Sequence, residues 1–126
     1  MLLLIAAALI VIAVVQPWNS GEKEPEPAAE TAQEVLRMGL HIGFTGVLTF
    51  KNARRPLEAL RSIPLDRLLI ETDCPYMAPV PFRGQRCDST MLTETAAVMA
   101  REKGVSLPEI CRITAENAAR LFRTPL

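Results

Sequence analysis

The chain has 126 residues, 14 basic and 14 acidic side chains, 49% apolar and 5% aromatic residues, which excludes collagen-like, polybasic and largely disordered chains. A single histidine, His41, rules out any site made from several imidazoles of this chain. With the apolar run Met1–Val15 and the polar stretch Gln16–Glu30 set aside, Thr31–Leu126 suffices for one small core, well short of the ~250 residues of an eight-stranded α/β barrel.

Leu2–Val15 is an unbroken run of Leu, Ile, Val and Ala. As a helix it would reach ~21 Å against a hydrocarbon core of ~30 Å, so it reads as a short anchor or export leader, with Trp18 near the lipid surface. No Lys or Arg precedes it and no small-x-small triplet follows, which leaves a fused or misassigned start as the other reading. Gln16–Glu30 mixes Pro17, Gly21, Pro25 and Pro27 with charge and reads as a linker. An anchored chain would be membrane-associated or exported.

From Thr31 the pattern turns globular. Ala32–Met38 has helical spacing stopped by Gly39, and Leu40–Thr45 alternates as a strand with Leu40, Ile42 and Phe44 on one side. Ala53–Ser62 reads as a helix with Asn52 as cap and Pro56 in its first turn. Arg67–Thr72 is a second strand, and strand, helix, strand in this order predicts a right-handed parallel crossover. Cys74–Gly84, with three prolines, is a loop. Thr90–Lys103 is the next helix, ended by Gly104; Ser106 and Glu109 form a capping box, and Thr114 is read as the cap of a last short helix through Phe122.

Alternation along the second strand puts Leu69, Glu71 and Asp73 on one face, with Asp73 at its carboxyl end, where parallel α/β folds bind ligands. Two such carboxylates ~6 to 7 Å apart repel unless a cation, an arginine or a shared proton compensates. Asp73 is therefore a candidate metal ligand or acceptor of a proton from water, and equally a turn carboxylate before Pro75. Glu71 is a supporting acid or a buried acid paired with a base. Arg83 and Arg86 in the following loop suit phosphate, and Tyr76 suits stacking on a base or sealing a core. His41 reads as packed or simply hydrogen-bonded. Cys74, Cys87 and Cys111 lack the close spacing of zinc or redox pairs and read as free thiols; Cys74, beside Asp73, is not expected to act as a nucleophile. Met1–Phe50 carries two basic and five acidic residues, and Lys51–Leu126 twelve and nine, so an acidic front precedes a mildly basic body.

Ile42-Gly43-Phe44-Thr45-Gly46, Ile70-Glu71-Thr72-Asp73-Cys74-Pro75-Tyr76, Ala78-Pro79-Val80-Pro81-Phe82-Arg83-Gly84 and Thr114-Ala115-Glu116-Asn117 together resemble the carboxy-terminal part of TatD-type metal-dependent deoxyribonucleases, over about Ala32–Leu126. The resemblance implies part of a TIM-type (β/α) barrel, its last two strands and terminal helices, and hydrolysis of DNA phosphodiesters with a divalent cation (Mg, Mn or Zn). It matches Asp73 to the aspartate closing the eighth strand, a metal ligand and proton acceptor, and places Arg83 near the site's mouth. The family's His-x-His pair, its glutamate and its further histidines would all precede Thr31, where this sequence has only the leader and linker. Cys74, Cys87 and Ser89 depart from residues common in the family. The implied chain is a truncated hydrolase, inactive alone and completed by a second polypeptide, or a gene-model or frameshift product. Without the anchor, the resemblance implies a cytoplasmic chain. A membrane-tethered, non-enzymatic interaction module is the alternative.

Overall fold

The computed structural model describes residues 28–126. The leader 1–15, with its predicted hydrophobic helix, and linker residues 16–27 lie outside the described residues. Helix α1 spans Ala28–Arg37, three residues earlier than the linker boundary allowed. Ala28 and Ala29 are strong helix formers, and Glu30 in the first turn and Arg37 in the last oppose the ends of the helix dipole. Its inward side buries Ala32 and Val35, and Gly39 takes the left-handed conformation at φ +80°.

Strands β1 (Ile42–Phe44) and β2 (Leu68–Ile70) pair in parallel, with Ile42 opposite Leu68, Gly43 opposite Leu69 and Phe44 opposite Ile70. The predicted crossover is thus present, with shorter strands than expected. One further bond, from the Glu71 amide to the Phe44 carbonyl at 3.0 Å, carries the ladder toward the loop. His41 precedes β1 rather than lying within it.

Helix α2 (Arg54–Ser62) connects the strands and buries Ala59 and Leu60. Asn52 is not its cap: the helix starts after Ala53 and no side chain caps it. A 3-10 turn over Gly46–Thr49 intervenes, so the chain reaches the helix from a turn that ends at Phe50 and the capping position moves past Asn52. Helix α3 (Leu92–Lys103) ends at Gly104, whose φ of 67° lets its amide reach the Ala100 and Arg101 carbonyls.

Helix α4 runs unbroken from Leu107 to Phe122, with Ser106 Oγ accepting from the Glu109 amide. Thr114 therefore caps nothing. Its buried hydroxyl donates to the Ile110 carbonyl at 2.9 Å, the local bond that a mid-helix threonine makes in place of a cap. Asn117, also buried, donates to the Leu65 and Leu68 carbonyls, both at 2.8 Å, and fastens α4 to the entrance of β2.

Ile42, Phe44, Leu60, Leu68, Met99 and Ile110 form the centre of one core beneath these helices. Among the described residues, no helix is long and apolar enough to cross a membrane.

Candidate active site

The sheet face opposite Ile42 and Phe44 carries a glycine, Gly43. A Cβ on Gly43 would lie 3.0 Å from Glu71 Oε1, so the Glu71 side chain occupies the space over Gly43, on the face opposite Ile42 and Phe44. Leu69, paired with Gly43, shares this face: it is buried yet lies outside the core cluster. The two buried side-chain polar atoms without a hydrogen-bond partner among the described residues are His41 Nδ1 and Glu71 Oε1. Alternation places both on this one face.

Burial first, and then the neighbouring Asp73 charge, raise the Glu71 pKa above the ordinary glutamate value. Burial first, and then the Arg67 and Arg120 charges, lower that of His41, with Asp66 acting in the opposite sense. Glu71 forms no ion pair among the described residues. His41 Nδ1 likewise lacks the simple hydrogen bond expected of it.

Beyond the strand end, Asp73 is partly exposed and its carbonyl accepts from the Tyr76 amide at 2.9 Å, turning the chain. Glu71, Thr72 and Asp73 line a small open cleft with Gly46, Cys87 and Thr95. The structure therefore brings the two predicted carboxylates into one cleft.

The loops after the strands are stitched together above it. Thr49 Oγ1 donates to the Gly46 carbonyl at 2.6 Å and accepts from the Val80 amide at 2.8 Å. A Cβ on Gly46 would lie 3.1 Å from Pro79 Cβ and 3.2 Å from the Met77 carbonyl oxygen, so the close approach of the second loop explains this glycine. Arg83 belongs to the same seam: its guanidinium lies 4.1 Å from the centre of the Phe50 ring and donates to the Ala78 carbonyl at 2.9 Å. That side chain clips one loop to the other, work that loop position alone did not reveal. Arg86 is exposed and without an ion pair among the described residues. Tyr76, 74% exposed, seals no core. Gly43, Gly46, Thr49 and Phe50 were not singled out from sequence for this site; the glycines inside and just after a strand were the available signal.

Against known proteins, residues 26–123 match the model of the family described as TatD related DNase. The chain belongs to that family. It is 48% identical over 96 residues to the uncharacterized metal-dependent hydrolase YabD of Bacillus subtilis, covering 76% of this chain and 38% of that one. Against the uncharacterized metal-dependent hydrolase YcfH of Escherichia coli K12 the identity is 48% over 93 residues, covering 74% and 35%. Among solved structures, YJJV, a TatD homologue from E. coli K12, superposes with a TM-score of 0.71 at 27% identity, covering 83% of this chain and 39% of that one. A TatD family hydrolase from Entamoeba histolytica gives 0.65 at 25%, covering 74% and 38%. The α/β arrangement of residues 28–126 is thus a TatD arrangement, and the chain spans little more than a third of the length of these relatives.

The divalent cation that this TatD membership implies fits the corner in part. Glu71 Oε1 is a buried carboxyl oxygen without a partner among the described residues, and Glu71 and Asp73 both line the cleft, a hard oxygen set of the kind magnesium and manganese take. Among the described residues, however, no group of three His, Cys, Asp or Glu side chains is positioned to hold a metal.

Proposed function

We propose that residues 28–126 supply the strand-end carboxylate corner of a TatD-type hydrolase acting on phosphodiester bonds of DNA. One observation carries this reading: Asp73 and Glu71 share a cleft at the carboxyl end of parallel strands, and one of their oxygens is buried without a partner. Parallel α/β folds bind their ligands at that end. Asp73 is the residue to hold the cation and to accept a proton from the attacking water; Glu71 supports it from one layer deeper. A bound Mg, Mn or Zn ion would supply the positive charge that activates water and balances charge developing on phosphate. Exposed Arg86 and Tyr76 suit a phosphate and a base, while Arg83 serves by holding the rim that carries them.

The remaining metal donors come, in this proposal, from outside residues 28–126, on the same polypeptide or a second one. The same additional chain would cover the two open edges of the β1–β2 sheet. One or two carboxylates hold a cation weakly because water competes at each open position. The alternative of a membrane-tethered interaction module rests on Met1–Val15, outside the described residues, and nothing in residues 28–126 favours it.

The test is cleavage of DNA by the 126-residue chain with Mg or Mn, alone and mixed with a polypeptide carrying the family's amino-terminal region. Little cleavage is expected alone, and restored cleavage in the mixture that falls by ~100-fold or more with Asp73→Ala. Efficient metal-dependent cleavage by the chain alone would refute the incomplete site, and a mixture indifferent to Asp73→Ala would refute the role of Asp73.

A further inference from the structure

We infer that Cys74 and Cys87 form a disulfide site that ties down the rim of the cleft. Thr72 Oγ1 accepts from the Cys74 amide at 2.9 Å and lies 3.5 Å from Cys87 Sγ, so a single hydroxyl touches both cysteines. The Cys87 amide also donates to the Pro75 carbonyl at 3.0 Å, which sets the backbone of Cys87 alongside that of Cys74-Pro75. A disulfide requires Cα atoms within ~7 Å of one another, and the bond from Cys87 to Pro75, the residue after Cys74, brings the two segments side by side.

Accessibility divides the work between the two thiols. Cys74 is exposed and Cys87 is buried, so an oxidant meets the first and the second is sheltered behind it. No helix or strand lies between the two cysteines, and the intervening turns give the segment freedom to adjust as the sulfurs approach. Cys111, the third free thiol, is on α4 and shares neither contact.

The step is thiol–disulfide exchange with a small-molecule disulfide such as glutathione disulfide. Although the neighbouring Asp73 charge disfavours a thiolate at Cys74, this is the exposed thiol that meets the oxidant, and its thiolate attacks one glutathione sulfur; the S–S bond of the oxidant breaks and one glutathione thiolate leaves. The Cys87 thiolate then attacks the Cys74 sulfur of the mixed disulfide and expels the second glutathione thiolate. Two protein thiols are oxidised, one glutathione disulfide is reduced to two thiols, and the protein's two thiol protons pass to them.

The bridge closes a loop of fourteen residues that begins next to Asp73 and carries Tyr76, Arg83 and Arg86. Its formation replaces the Thr72–Cys87 contact and fixes the rim relative to the strand end. It is independent of what the cleft binds, so failure of DNA cleavage would leave it standing.

The test equilibrates the full 126-residue chain in a glutathione redox buffer, alkylates the remaining thiols under denaturing conditions and digests with trypsin without reduction. The expected product joins peptide Leu68–Arg83 to peptide Cys87–Arg101 within one monomer, about 2 Da lighter than the two reduced peptides together, with Cys111 alkylated. Cys74→Ser, an exposed substitution, should abolish the joined peptide and leave Cys87 fully alkylated, with an unchanged circular dichroism spectrum. Alkylation of both Cys74 and Cys87 in the original chain, a glutathione adduct that persists on Cys74, or a bridge through Cys111 or to a second monomer would each overturn the inference.

Discussion

On one face of the β1–β2 sheet, Ile42, Phe44 and Leu68 are packed under helices, and nearby buried polar groups such as Thr114 and Asn117 have their hydrogen bonds. On the other, His41, Leu69 and Glu71 flank a glycine, and two buried polar atoms have no partner among the described residues. The strands thus hold the fold together with one side and offer chemistry from the other. An unpartnered buried oxygen is costly, of order 1–3 kcal/mol. That of Glu71 lies over Gly43, and Glu71 and Asp73 both line the cleft, which is where the missing donors are proposed to sit.

Adjacent residues of β2 allow the sharpest challenge to that division. Leu68 is fully buried in the core cluster, so Leu68→Ala should cost ~2–5 kcal/mol in urea unfolding, through lost transfer energy and the cavity left behind. Leu69, one residue on and facing the other way, lies outside the cluster and should cost clearly less. Equal losses would show that the two faces are packed alike.

The core face was the legible one. Alternation at Ile42 and Phe44 and the apolar run Leu68–Ile70 are local patterns, and they sufficed for two parallel strands joined by a helix. Asp73 was placed at the strand end by the same counting. Features set by tertiary contact were not legible: Thr114 looks like a cap until α4 is seen to continue through it, and no local pattern shows that the Arg83 guanidinium lies over Phe50, 33 residues away. The start of α1 was obscured by neighbouring Pro and Glu residues, whose composition speaks of a linker although Ala28 already favours a helix.

A smaller effect should distinguish the polar face by its response to pH. Burial and Asp73 raise the pKa of Glu71 in the folded chain, while the unfolded chain keeps the ordinary value. Between those two values the folded state holds a proton that the unfolded state has released, so stability falls as pH rises through the window and stays lower above it. Glu71→Gln should therefore raise urea stability at neutral pH and have little effect below the ordinary carboxylate value. His41 has the opposite sign: its pKa is lowered, so its contribution is present above ~6.5 and is lost as pH falls through the lowered value. Urea unfolding of Glu71→Gln across this range would break the picture if the curve kept its original slope.

The smallest effect belongs to the surface, away from both faces. Arg61 on α2 meets Glu102 on α3 at 2.7 Å; the Glu102 side chain is 13% exposed but that of Arg61 is 59% exposed, and surface pairs open to solvent in this way contribute ~0.2–1 kcal/mol, less in salt. The helix ends are joined a second time by Lys103, whose ammonium donates to the Arg61 and Ile63 carbonyls, both backbone groups that Arg61→Ala leaves in place. Arg61→Ala should therefore lower urea stability by no more than ~1 kcal/mol, with the loss shrinking toward zero as salt is added. A loss comparable to that of Leu68→Ala would mean that the α2–α3 junction, rather than the packed side of the sheet, holds residues 28–126 together, and the contrast between the two faces would then say little about where the stability of this chain resides.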